Sequence, residues 1–258
     1  SAPTAVSMLH AGVLMKLGGY GCFRVAMFLL PEAAHEMSWI FLILTTISVV
    51  YGAFGAIWQK DLKYINAYSS VSHCGLVIFA LLMMNQTAMD GAVIQMISHG
   101  LMTALFFALI GMIYSRTHTR NITEMGGLMN VIPFLAVGYM IAGFASLGLP
   151  GFSGFVAEMT VFIGSFQHQD LFHRVCTVIA CTSIVITAVY ILRVVAILLL
   201  GEIKHEEHRS IPDAHWYERL SILALIIPIV VVGIAPLFLS NTIIDGLKPI
   251  LERLTAVL

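Results

Sequence analysis

The sequence predicts an all-α, polytopic membrane protein of about seven transmembrane helices, one of them discontinuous. Three observations lead there. Charged residues are 10% of the chain and hydrophobic residues 59%, with a mean hydropathy of +0.93, whereas a soluble domain carries roughly 25% charged residues. Apolar runs of about 20 residues, the length that crosses a hydrocarbon core, recur from one end to the other. No run alternates in and out like a barrel strand, so the backbone must satisfy itself within helices.

The runs place spans at about 4–30, 36–58, 63–84, 91–114, 131–166, 175–200 and 217–240, forming one bundle over 1–240 with an amphipathic tail at 241–258. Links are short except for the polar stretch from Gly201 to Arg219. The chain opens on Ser1, with an apolar helix expected a few residues later, which suggests that an amino-terminal part lies elsewhere. A net charge of -1 carries no basic field, so the bilayer, and not nucleic acid, is the expected partner. Cys22, Cys74, Cys176 and Cys181 fall inside apolar runs without metal spacing and read as small helix residues.

Basic residues set the expected orientation. Lys60, Lys63, Arg116, Arg120, Lys204, Arg209 and Arg219 fall on one side of the seven spans. Arg174, Lys248 and Arg253 fall on the other. The richer side, with loops 59–63, 115–130 and 201–218, is therefore expected in the cytoplasm.

The fifth span is irregular. Val131 to Phe166 would make a helix of about 54 Å at 1.5 Å per residue, against a core of about 30 Å. Gly148, Pro150, Gly151 and Gly154 crowd its centre, and proline and glycine both weaken a helix interior. A break at membrane depth is tolerated where it lines a wet cavity, and such breaks mark ion sites in transporters. A proline kink in a long tilted helix is the plainer alternative.

Several ionisable residues sit inside the spans. Lys16 is central in the first, where a charge is costly and usually functional, although lysines also snorkel. His73 and His99 are central in the third and fourth; either could relay protons or simply bond to a helix carbonyl. Glu158 follows the break by about one turn, where the free N–H groups of a second half-helix can stabilise a carboxylate, or where it could serve as a fixed partner for a base. Lys63 opens the third helix and suits either proton uptake or a topology-setting charge. Arg24 and Arg193 are weaker candidates that could snorkel or pair with a neighbouring subunit. His118, His205, His208 and His215 read as solvated loop residues, and no metal site is expected. Phosphate loops, iron–sulfur cysteine clusters, haem pairs and nucleophile elbows are absent from the sequence.

The stretches HAGVLMKLGGYG (10–21), QKDLKYINAYSSVSHCG (59–75), GAVIQMISHGLMTALFF (91–107), YSRTHTRNITEMGGL (114–128) and LGLPGFSGFVAEM (147–159) together resemble the antiporter-like subunits of respiratory complex I. The resemblance runs the whole chain, in order. It implies half of a fourteen-helix fold built on inverted five-helix repeats, from about the eighth helix onward. It also implies that Lys16 connects two half-channels, that His99 and the discontinuous helix continue the path, and that Glu158 ends it, with His73 and Lys63 in support. Some branches of the family carry lysine at the Glu158 position, so glutamate implies a branch that keeps a carboxylate. The family's glutamate–lysine pair on earlier helices has no counterpart here.

The implied function is proton translocation in the membrane arm of an NADH:quinone oxidoreductase of the bacterial inner membrane. Other membrane-arm subunits, including adjacent antiporter-like ones, would be its partners. NADH, FMN, iron–sulfur clusters and quinone would reside in those partners and none in this chain. The rival is a multi-subunit cation/proton antiporter without redox partners, distinguishable by what copurifies.

Overall fold

The structure, a computed structural model, describes residues 3–256 and is entirely helical apart from turns and one isolated bridge between Asp61 and Asn121. The chain is helical over 4–29, though not uniformly. Helices α1 (Thr4–Leu9) and α2 (Met15–Gly21) are separated by a π-turn at His10–Leu14, and a second π-turn covers Cys22–Met27. There follow α3 (Pro31–Trp58), α4 (Leu62–Leu82), α5 (Gln86–Thr117), α6 (Pro133–Ser146), α7 (Ser153–Ser165), α8 (Leu171–Leu199), α9 (Trp216–Ile234) and α10 (Leu237–Thr255). Among the described residues, α3, α4, α5, α8 and α9 are each long and apolar enough to cross a membrane. The π-turns divide the first run and a break divides the fifth.

Local chemistry accounts for where the helices start. Pro31 and Pro133 sit at the first helical position of α3 and α6, where their missing N–H costs nothing. Asp61, Asn85 and Asp170 cap α4, α5 and α8 by accepting backbone N–H bonds. His118 closes α5 in the left-handed conformation.

Links gather at the two ends of the bundle. At one end Leu62 donates its N–H to the Arg120 carbonyl, Ile122 to Lys60, and Gly127 to Leu200. Lys204 reaches the Thr123 carbonyl, and Arg116 forms a bidentate pair with Glu218. Loops 59–63, 115–130 and 201–218 thus share one side. At the other end Asn85 donates to the Gly164 carbonyl and Gln167 to Thr87. Arg174 lies at this second end, and Arg253 stacks over Phe28.

The expected discontinuity of the fifth span is a full break and not a proline kink. Leu147 to Phe152 leave the helix, and Phe152 donates its N–H to the Leu149 carbonyl across Pro150 and Gly151. Proline second and a positive-φ glycine third (Gly151, φ 97°) is the pattern of a type II turn. Gly148 is also left-handed, at φ 69°. Gly154 is not in the break: it is the second residue of α7, kept free of a side chain by the Ala145 carbonyl lying against it. The irregular backbone is partly covered, with Gly233 of α9 packed on Gly151, and its exposed residue is Pro150, which has no N–H to leave unpaired.

The tail helix α10 begins at Leu237, ahead of position 241, and buries Ile243, Leu247, Ile250 and Leu254 as one stripe. Arg193 donates to the Ile57 carbonyl in the last turn of α3. Arg24 is exposed and lies over the Tyr20 ring.

Glycines set how closely the helices approach. A Cβ on Gly91 would stand 2.6 Å from the Val161 nitrogen, so α5 and α7 touch backbone to backbone there. Gly91→Ala should therefore destabilise the folded chain by on the order of 1–3 kcal/mol through overpacking. Gly246→Ala, inside α10 where nothing lies within 4 Å, should be neutral or stabilising by up to about 1 kcal/mol. Unfolding of the two variants in membranes, followed by heat or detergent titration, checks the contrast.

Candidate proton-transfer site

Lys16, His73, His99 and Glu158 come together as one file across four helices. The first π-turn sits immediately before Lys16, and its Ala11 carbonyl accepts a bond from the Lys16 ammonium. The same nitrogen lies 2.7 Å from His99 Nδ1. Close passage of the first helical run and α5 makes this contact possible: a Cβ on Gly100 would stand 2.8 Å from the Gly12 carbonyl oxygen. The first helical run thus fills the space beside Gly100, next to His99.

His99 is 1% exposed, and its Nε2 is buried with no hydrogen-bond partner. Its ring faces His73, with centroids 5.2 Å apart and planes tilted by 36°. His73 Nε2 is 3.3 Å from Ser146 Oγ, and Nδ1 is 3.1 Å from the Gln95 amide nitrogen. An amide nitrogen only donates, so in this arrangement Nδ1 accepts and Nε2–H faces the serine.

Glu158 Oε1 lies 3.6 Å from His73 Nδ1. That exceeds a hydrogen bond, so a small movement or a water must close it. The carboxylate reaches back across the helix break: a Cβ on Gly148 would stand 2.8 Å from Oε2. Gly148 is therefore doubly constrained, by its left-handed backbone and by the carboxylate beside it. Ser98 and Ser153 share a 2.8 Å hydroxyl bond that joins α5 to the start of α7.

Lys63 stands apart from this file. Its backbone N–H is bound by the Asp61 cap, and its side chain helps line a cavity of 640 Å³ beside the first helical run. Asp61, Arg120, Ser70, Ala11 and Met15 also line it. The cavity thus extends from the loop end of α4 to the residues next to Lys16. Ser70 Oγ, buried and without a hydrogen-bond partner, is available to a water there.

Sequence reasoning passed over Gln95, Ser146 and Cys74, the last with its sulfur 4.0 Å from His99 Nδ1. Each is an ordinary helix residue. Gln95 lies four positions before His99 on α5, and that one-turn spacing is the sole signal that could have marked it.

The first 187 residues match the family model described as "NADH:quinone oxidoreductase/Mrp antiporter, TM". Over 240 residues the chain is 37% identical to NADH-quinone oxidoreductase subunit M of Rickettsia bellii, covering 93% of this chain and 48% of that protein. It superposes on a chain of respiratory complex I from Thermus thermophilus with a TM-score of 0.89 at 26% identity, covering 98% of this chain and 52% of the other. A chain of the Mrp complex from a Dietzia species shares the fold, with a TM-score of 0.84 at 18% identity, covering 97% and 55%. The chain thus spans about half the length of the relatives it matches.

The Gly148–Glu158 contact yields a coupling test. Gly148→Ala should destabilise by on the order of 1–3 kcal/mol from the left-handed backbone alone, and by more where its methyl meets the carboxylate. Glu158→Ala in the same chain removes the clash, so the double variant should lose less than the two singles summed, by roughly 0.5–3 kcal/mol. Reversible unfolding of the four proteins measures this; strict additivity would show that Glu158 does not press on Gly148.

Proposed function

Because the chain belongs to the NADH:quinone oxidoreductase/Mrp antiporter family of membrane proteins, we propose that it works as a proton-translocating membrane-arm subunit of an NADH:quinone oxidoreductase. The observation that carries this reading is the file Lys16–His99–His73–Glu158, ending against a helix break inside the bundle. NADH, FMN, iron–sulfur clusters and quinone belong, on this reading, to partner subunits. The partners are other membrane-arm subunits, including adjacent antiporter-like ones. The membrane is a bacterial inner membrane, with loops 59–63, 115–130 and 201–218 in the cytoplasm.

Each residue then has a chemical task. Water in the Lys63-lined cavity brings protons toward Lys16. Lys16 Nζ hands a proton to His99 Nδ1, and the resulting imidazolium releases one from Nε2. That nitrogen is without a partner in the bundle, which suits a group that must bond to a transient water. His73 takes the proton next, and Glu158 Oε1 receives it after the 3.6 Å gap closes.

Gln95 is a positioning residue in this scheme. Its Oε1 is buried without a partner while Nε2 faces His73. Turning the amide over would present the oxygen to a protonated Nδ1, so Gln95 can follow the charge of His73. The driving event is quinone reduction in other subunits, felt here as a change of charge at one end of the file. A nearby charge shifts the proton affinity of its neighbour, and the shift passes along.

In membranes holding the complete assembly, Lys16→Ala should abolish most of the proton translocation linked to NADH oxidation while the complex still assembles. Glu158→Gln should do the same and Glu158→Asp much less. Proton-to-electron ratios measured by a pH indicator decide it. Unchanged pumping in Lys16→Ala would overturn the path, and equal effects of Gln and Asp would reduce Glu158 to packing. Sodium-driven proton exchange without copurifying redox subunits would favour the antiporter alternative.

A further inference from the structure

Away from the membrane file, we propose that His168, Asp170 and His173, in the turn from α7 to α8, form a site for a divalent transition-metal ion of the zinc class. The sequence predicts no metal site and does not single these three residues out. In the fold their ligand atoms lie within 4.8 Å of one another. Asp170 is the hub: Oδ2 is 2.6 Å from His173 Nδ1, and Oδ1 is 3.7 Å from His168 Nδ1. The two rings stack face to face, with centroids 4.3 Å apart.

The telling contact is on the far side of His168. Its Nε2 is 2.6 Å from the Met83 carbonyl oxygen. A carbonyl only accepts, so Nε2 must carry the hydrogen. A neutral His168 then has a bare lone pair on Nδ1, and that lone pair faces a carboxylate oxygen. Two acceptors aimed at each other repel unless a cation stands between them. Metal-binding histidines almost always donate their other ring N–H to a carbonyl or carboxylate, which fixes the tautomer as it is fixed here.

The donor set selects the ion. Two imidazole nitrogens and one carboxylate suit Zn²⁺, with Cu²⁺ and Ni²⁺ as competitors, while Ca²⁺ and Mg²⁺ prefer all-oxygen shells. The three side chains are 27%, 50% and 22% exposed, so an ion can reach them from water and keep a water as fourth ligand. The turn is braced before any ion arrives. Asp170 caps α8 through the His173 N–H, and Arg174 holds the His168 carbonyl and the Gln169 side chain. Binding requires the rings to unstack slightly, and His173 to move its hydrogen from Nδ1, which now donates to Asp170 Oδ2, to Nε2 so that Nδ1 can ligate. No net proton or electron changes hands.

A proton on His168 Nδ1 would relieve the same repulsion, so the experiment must separate proton from metal. The intact membrane assembly containing this chain would be stripped with a chelator and titrated with radioactive zinc at equilibrium. Wild type should hold one more tightly bound zinc per chain than Asp170→Asn or His173→Gln, whose affinity at this site should fall at least about tenfold. Asparagine caps helices as well as aspartate does, so Asp170→Asn preserves the turn and isolates the ligand. Zinc-edge absorption of the wild type should show two nitrogen ligands that one variant, His173→Gln, reduces to one. The same zinc count and affinity in wild type and both variants would overturn the proposal and leave the cluster as a hydrogen-bonded helix cap.

Discussion

Inside a bilayer a lysine ammonium has no water to turn to, and its only partners are those the protein brings to it. Here they are the Ala11 carbonyl, freed by a π-turn, and the His99 ring at 2.7 Å. Much of the architecture around the site serves that meeting. The first helical run must pass α5 closely enough for Gly12 and Gly100 to touch, and it must locally rewind to aim a carbonyl at the ammonium. π-turns of this kind cost hydrogen-bond quality and persist mostly where a function uses the displaced group.

The same constraint governs the broken helix. Six residues out of helix would leave polar backbone against lipid, but α9 packs on Gly151, the type II turn satisfies the Phe152 N–H, and the exposed Pro150 has none. The break brings Glu158 back over Gly148 toward His73, a direction an unbroken helix would not have allowed. At one end the loops are tied to one another by backbone bonds and the Arg116–Glu218 pair, and at the other Asn85 ties the start of α5 to Gly164 of α7. The polar file and the turn chemistry are thus parts of one solution to burying charge.

The proposed metal cluster is a different kind of site. It is exposed and belongs to the turn after α7, the half-helix that carries Glu158. Its logic is that of a surface coordination site, with a tautomer set by a neighbouring carbonyl. It shares no residue with the proton file.

By itself the sequence determined that the chain is a helical membrane protein, roughly where its spans lie, and that the fifth is interrupted. It also marked Lys16, His99 and Glu158, because an ionisable residue in an apolar run is rare enough to stand out without any structure. A proline between glycines at mid-span is equally legible, since both residues act on their own backbone. Which residues meet was not legible. His73 could be no more than a possible relay until α4 was seen to set it between His99 and Glu158. Gln95 and Ser146 carry no signal as letters, and the π-turns leave no mark in composition. Gly154 read as part of the break because its reason, the Ala145 carbonyl, lies on another half-helix. His168, Asp170 and His173 passed unnoticed because the carbonyl that fixes their tautomer belongs to Met83, 85 positions away from His168. Hydropathy and backbone preference act along the chain and can be read there; proton transfer and coordination depend on distances across it, which only packing decides.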